Sequence, residues 1–547
     1  MLRRDVPGVR AGVLVVIGTT TLLTGLLVAP AGPSAAGAAT GPSTTTGTAI
    51  SGAESWTVYH GNPEGSGLGS AARVVLSSPA WTSPALDGQL YGEPLVSGGR
   101  VFVATENDTV YALSAASGAV VWSAHVGTPV PASSLPCGDI SPTVGITGTP
   151  VIDAARGELF VVADEMVGGT PAHELVGLST ATGVTELRQD VDPPGATPSA
   201  QLQRTGLTLD DSHVVFGFGG NYGDCDSSSY RGWVLSVPEG GGTPEEFAVD
   251  GAPGESQGAV WMGGAAPVVD PAGDVWVATG NGSVYSSSHA YDDSEGVLEL
   301  SPTMTLVQYF APQDWATLSS QDLDLSTAPA LLADGQVVAA GKARIAYLLD
   351  GSDLGGIGGE QASLAVGCGD DVDGGVAVEG TTVYLPCLSG PVAVAVSAAP
   401  AGLRVLWRSS VGGGPPVVAA GMVWTIGQDG VLYALDPTTG AEVAQATVGV
   451  PANHFPTPSV AAGLLLAPAA DRVVAFSAPA GEPSPATSTT TTTRTTASST
   501  TTSVPATTTT SAPASSGGTA PWLVAVVALG VVVVAAALTW FLRRRRR

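Results

Sequence analysis

Lysine is almost missing. Lys342 is the single one in 547 residues, and charged residues of all kinds make up only 12% of the chain. The 20 basic residues face 47 acidic ones, for a net charge of −27, and Arg3, Arg4, Arg10 and Arg543 to Arg547 all sit at the two ends. What lies between is therefore more acidic still. Such a field repels nucleic acid and favours cations, which excludes nucleic-acid binding. The four cysteines contain no Cys-x-x-Cys, so zinc ribbons and attached haem are excluded as well. The six histidines, His60, His125, His173, His213, His289 and His454, are scattered without metal spacing. No Gly-x-Ser-x-Gly elbow occurs, and the glycine-rich runs at Gly217 to Gly220 and Gly412 to Gly414 lack the P-loop lysine and the dinucleotide spacing.

What the chain does have is turns: 73 Gly and 41 Pro. They punctuate a recurring hairpin. Val110 to Trp122 reads as an apolar strand, a tight turn closed by Gly118 and a second strand, and Leu432 to Val443 repeats it around Gly440. The position of Leu113 recurs at Leu178, Leu235, Leu300, Leu349, Val396, Leu435 and Phe476. Several copies are preceded by a Pro-led strand such as Gly92 to Val96 and then by a further strand such as Arg100 to Ala104, which with the hairpin makes four strands per unit. One unit cannot bury its own faces, so repetition predicts stacked blades sharing a core. The expected fold is all-β, an eight-bladed β-propeller over residues 56–478, with seven blades as the fallback. Ala80-Trp81 resembles an outer strand with no blade before it, so it is expected to complete the last blade and remove an exposed edge.

The ends read as addresses. Residues 1–40 have the arginines, the apolar run Ala11 to Val28 and the small residues of an export signal, followed by a short linker over 41–55. Residues 479–520, rich in Thr, Ser and Pro, have too few large apolar groups to offset the entropy of ordering and are expected to form an extended stalk. Residues 521–542, uncharged and with Trp522 and Trp540 near their ends, are long enough to span a membrane, and Arg543 to Arg547 place the C-terminus in the cytoplasm by the positive-inside rule. The expected localisation is a single-pass cell-membrane protein with its propeller extracellular. In that oxidising setting four cysteines form two disulfides; three pairings exist, and Cys368 with Cys387 and Cys137 with Cys225 are the expected ones.

The two best hairpins, with Ala112, Gly118 and Trp122 at the spacing of a tryptophan-docking motif, resemble the repeat of the pyrroloquinoline quinone (PQQ)-like β-propellers, over roughly Trp56 to Ala478. That superfamily holds quinoprotein alcohol dehydrogenases and many non-enzymatic propellers, so the likeness is specific for fold and weak for function. From the dehydrogenases, the resemblance implies a calcium-binding Asn281 at the end of Val275 to Asn281, and Asp292 or Asp293 as catalytic base, with Asp293 also a metal ligand. It implies Glu165 as a third metal carboxylate, Lys342 or Arg344 as a cation over the quinone oxygens, and Trp261 as the stacking floor. Hard oxygen ligands are what Ca²⁺ needs. The acidic turn Asp370 to Gly374 is a fragment of a calcium loop. The adjacent cysteine pair of many family members is absent, and the interval from Asn281 to Asp292 is shorter than the family's active-site loop.

Two functions follow as expectations. The first is a binding or scaffolding propeller whose loops or central funnel hold an extracellular protein, polysaccharide or small ligand, with no certain cofactor. The second is a PQQ- and Ca-dependent dehydrogenase oxidising alcohols or sugars outside the membrane.

Overall fold

Short strands that are apolar on both faces can only be buried by stacking sheet on sheet, and the chain does this eight times. The computed structural model describes residues 55–221, 230–252 and 254–479. The expected signal segment, stalk, membrane span and arginine cluster lie outside these residues, as does Cys225. Among the described residues no helix is long and apolar enough to cross a membrane.

Blade 1 runs Leu95–Ser97, Arg100–Thr105, Thr109–Ser114 and Val120–His125, paired in that order. Its second and third strands are buried almost throughout, whereas the outer strand alternates between half-buried and exposed residues. That contrast is the expected one between a strand sandwiched between blades and a strand at the rim. The inner strands of blades 2 to 8 begin at Val151, Gln201, Val268, Ala330, Ala377, Val417 and Ser459. All eight positions equivalent to Leu113 fall on third strands, as the spacing predicted. A one-residue slip between third and fourth strands recurs at Ala112/Leu113, Gly177/Leu178, Glu299/Leu300, Ala393/Val394 and Ala434/Leu435. Such bulges sharpen the local twist, and in four of the five blades they fall at the Leu113-equivalent position, the blade 6 slip lying before Val396.

Blade 8 takes its outer strand from the other end of the chain: Trp81 pairs with Ala475 and Thr82 with Val474. The indole of Trp81 then docks on blade 1, where its Nε1 donates to Ala115 O at 2.8 Å. Gly118 lies under the ring, and a Cβ there would come within 2.4 Å of it. Trp122 docks on blade 2 in the same way, donating to Thr180 O at 3.2 Å, and Trp407 docks on blade 7, donating to Pro437 O at 2.8 Å. Cys368 and Cys387 form a disulfide within blade 6 and the loop before it. Cys137 is disulfide-bonded too.

The segment just before this closure is a feature the strand pattern did not announce. Trp56, Val58, Tyr59 and His60 are all buried. Trp56 exchanges backbone hydrogen bonds with Val96, and the carbonyls of Thr57, Pro63, Ser66 and Gly67 accept from the amides of Ile152, Val269, Val378 and Val418. These partners are the inner strands of blades 1, 2, 4, 6 and 7. The segment therefore crosses the ring axis as a plug, at the end of the channel where the inner strands finish.

The seam between blades 1 and 2 buries acid. Asp108 is fully buried with neither carboxylate oxygen hydrogen-bonded, and burial, then the charges of Asp164, Glu165 and Glu106, push it up to about 9. On the other side of blade 2, where His173 packs edge-on against Phe218 of blade 3, burial opposes the charged form of His173, but Asp164 and Asp192 on either side hold it up at about 10. Both shifts have one sign. An acid whose folded pKa is raised binds more protons folded than unfolded, and so does a histidine raised from 6.5; each loses stability as pH rises towards its folded value. We expect the denaturation midpoint to fall between pH 6.5 and 9, and Asp108→Asn to flatten that slope. An unchanged slope in the variant would show that the seam does not titrate in this window.

Candidate functional site

At the end of the channel opposite the plug lies a cavity of about 610 Å³. It is lined mostly by loops that enter inner strands or join second to third strands, with Leu202 and Gly220 added from strands of blade 3, so every blade contributes to it. Trp261 lies in the loop before the inner strand of blade 4, Asn281 follows the second strand of that blade, Asp322 and Asp324 precede blade 5, and Lys342 turns between its second and third strands. Arg204, Asp373 and Phe455 complete the polar and aromatic wall.

Trp261 can lie against this wall because glycines make room: a Cβ on Gly219 would sit 2.7 Å from its ring. Tyr230 tilts against it at 6.0 Å between centroids. Beside it, Lys342 Nζ is 2.6 Å from Asp324 Oδ2 and 3.3 Å from Asp322 Oδ1. Asp324 Oδ1 accepts from the backbone N–H of Asn281 at 2.8 Å, and the Asn281 amide donates to Asp322 Oδ1 at 3.3 Å. One linked set of polar groups therefore spans blades 4 and 5. The neighbouring carboxylates outweigh burial and raise the Lys342 ammonium well above its ordinary value, so it is always charged. Burial pushes Asp373 up to about 7 against the pull of Lys342, and its Oδ1 has no hydrogen-bond partner.

Arg204 is different from Lys342. It sits where the inner strand of blade 3 breaks, between Gln201–Gln203 and Thr208–Asp210. It is 9% exposed, its guanidinium carbon is 5.2 Å from the centre of the Phe455 ring, and it forms no ion pair or side-chain hydrogen bond among the described residues. A guanidinium placed so, against an aromatic ring and at the wall of a cavity, has the fork geometry that suits a planar anion.

The structure brings Trp261, Asn281 and Lys342 to this cavity and leaves Glu165, Asp292, Asp293 and Arg344 outside its lining. Glu165 is bound to Arg188 at 2.6 Å. Asp292 is buried and braces its own loop, accepting from Ser294 Oγ at 2.6 Å and from the Val284 amide at 3.2 Å. Asp293 has a positive φ of 62°, its carbonyl accepts from Thr279 Oγ1 at 2.8 Å, and burial followed by the charge of Asp292 pushes its carboxyl up to about 6. Arg344 is exposed at the turn. The cavity residues that sequence reasoning passed over are Arg204, Asp322 and Asp324. The pair Asp322-Leu-Asp324 carried a signal in its closeness to an inner strand, but Arg204 carried none beyond being basic in an acidic chain.

None of the curated proteins matches this sequence. Among solved structures, quinohemoprotein alcohol dehydrogenase from Comamonas testosteroni aligns with a TM-score of 0.59 at 14% identity, over 79% of this chain and 82% of its own. A europium-containing methanol dehydrogenase aligns at 0.52 and 15% identity, over 73% and 86%. BamB from Moraxella catarrhalis aligns at 0.48 and 14% identity, over 74% and 98%. Likeness at these identities is likeness of fold. A family model described as outer membrane protein assembly factor BamB matches residues 46–291 and 351–528, well over half of the chain. With that match and its eight blades, three of them joined to the next by a docked tryptophan, the chain belongs to the PQQ-like β-propeller family.

Proposed function

We propose that this chain is a cell-surface binding propeller whose cavity takes a flat, carboxylate-bearing small molecule. The observation that carries the reading is Arg204: a buried guanidinium with no ion pair or side-chain hydrogen bond among the described residues, in a wall that also presents the rings of Trp261 and Phe455. A planar anion satisfies both, stacking on aromatic faces while its carboxylate takes the guanidinium fork. Localisation outside a cell membrane rests on the apolar segments and arginines at the two ends of the sequence.

A second reading, a PQQ-dependent oxidoreductase, is favoured by the meeting of Trp261, Asn281 and Lys342 at one cavity. The calcium half of that reading fits poorly. Glu165, Asp292 and Asp293 lie outside the cavity lining, Glu165 is paired with Arg188, and the Lys342 ammonium lies between Asp322 and Asp324 where a cation would go. No catalytic step is therefore drawn through a metal here.

Titrating the purified chain with PQQ, with and without Ca²⁺, and with a panel of aromatic carboxylates, while following tryptophan fluorescence, separates the readings. Saturable quenching without dye reduction by alcohols or sugars supports the binding propeller. Quenching by PQQ with Ca²⁺-dependent dye reduction supports the oxidoreductase. No saturable quenching by any of them up to millimolar concentration would sink the cavity reading.

A further inference from the structure

The acidic groups on the other face of the ring point to a second ligand. Asp270 ends the inner strand of blade 4, Asp274 precedes its second strand, and Glu299 on the third strand pairs with Trp276. One oxygen from each of the three lies within 4.8 Å of the others. Two ligands on opposite sides of an ion at ~2.4 Å would be ~4.8 Å apart, so the three fit around one calcium sphere. None of them pairs with a Lys or Arg among the described residues. Asp270 is fixed in orientation: its Oδ1 accepts from the amides of Ala272 and Asp274 at 2.8 and 3.1 Å, and its Oδ2 from Trp276 Nε1 at 3.2 Å. Glu299 accepts from the side chain of Gln308.

A fourth carboxylate turns this cluster into a site. Asp210 closes the Thr208–Asp210 strand of blade 3, is 9% exposed, and forms no side-chain hydrogen bond or ion pair among the described residues. It is aimed at the turn that carries Asp270 and Asp274, since a Cβ on Gly273 would lie 3.1 Å from its Oδ1. Burial, then Asp211, Asp274 and Asp270 raise Asp210 against the pull of His213, and burial and then Asp270 raise Asp274.

We propose that Asp270, Asp274 and Glu299 bind one Ca²⁺, with Asp210 reaching it through a water, and that the ion ties blade 3 to blade 4. An all-oxygen donor set selects a hard cation over zinc or copper, and the uneven spacing of donors from a turn and two strands suits calcium better than the strict octahedron of magnesium.

Trp276 makes the site readable. In the purified full chain, Tb³⁺ bound there should emit on excitation of the adjacent indole, with saturation and with displacement by Ca²⁺, and Ca²⁺ should raise the Tm by several degrees. Asp274→Asn, a half-buried and near-isosteric change, should cut the emission at least tenfold and abolish the Tm shift; Glu299→Gln is the second variant should the first fail to fold. Asp373→Asn, in the cavity, should change neither. Emission that persists in both Asp274→Asn and Glu299→Gln, emission lost only in Asp373→Asn, or no Ca²⁺-displaceable emission in the parent chain would each overturn the proposal.

Discussion

Trp81→Ala is expected to lower the stability of the chain by about 3–5 kcal/mol, the range for truncating a buried aromatic side chain. The residue is 8% exposed and belongs to the largest core cluster, which joins blades 7, 8, 1 and 2. Its strand, Trp81–Thr82, is only two residues long, and the edge of Arg472–Ser477 is otherwise covered by single backbone bonds, from the amides of Val75, Ala80 and Ser83 to the carbonyls of Ser477, Ala475 and Val473. Loss of the indole removes the packing over Gly118 and the hydrogen bond to Ala115 O together, at the one seam that covalent continuity does not hold. Trp122→Ala removes an equivalent dock, but its side chain is only half-buried and its strand, Val120–His125, has six residues to keep the sheet paired. It should cost distinctly less. Guanidinium unfolding followed by fluorescence ranks the two, and a Trp81→Ala midpoint no lower than that of Trp122→Ala would contradict closure at this seam. Gly118→Ala is the complementary change: its φ of 69° disfavours a side chain, and the new methyl would press into the Trp81 ring. It should resemble Trp81→Ala.

The same seam shows why the fold was legible. A propeller hairpin is local: an apolar third strand, a glycine at positive φ and an outer strand all lie within about a dozen residues, so Val110 to Trp122 contains its own evidence. Counting such hairpins counts the blades, and an unmatched Trp81 identifies the closure. The plug at Trp56 to Gly67 has no such periodicity. Its backbone bonds go singly to strands of five blades, and no window of sequence contains both partners. The cavity is non-local for the same reason, since Arg204, Trp261, Lys342 and Phe455 meet only because the ring brings loops of different blades to one axis. Trp261, Asn281 and Lys342 were reachable through resemblance to the dehydrogenases. Asp292 and Asp293 drew attention as an acidic pair in a rich loop, yet in the folded chain Asp292 serves that loop through Ser294 and Val284, while Asp293 lends its carbonyl to Thr279. Composition does not reveal whether a carboxylate faces a ligand or its own backbone.

That distinction, between a charge spent on the protein and a charge left for a ligand, sets the last expectation. Lys342→Met should destabilise the chain by about 2–3 kcal/mol, because the side chain of Asp324, 3% exposed, loses the ammonium 2.6 Å away, with a discount for the part of Lys342 that reaches solvent. Arg204→Gln should do the opposite. No carboxylate among the described residues forms an ion pair with the guanidinium, so the Tm should move little, apart from the loss of contact with Phe455. Affinity for a carboxylate ligand should fall by about 10- to 100-fold, the worth of a hydrogen bond to a charged group. Thermal denaturation and ligand titration on the two variants, run side by side, give a crossed pattern if the assignment is right: Lys342→Met moves the first, Arg204→Gln the second. Arg204→Gln with undiminished binding and a lowered Tm would make Arg204 a structural residue, and the cavity would then have to recognise its ligand through Trp261 and the Asn281–Asp324–Lys342 set instead.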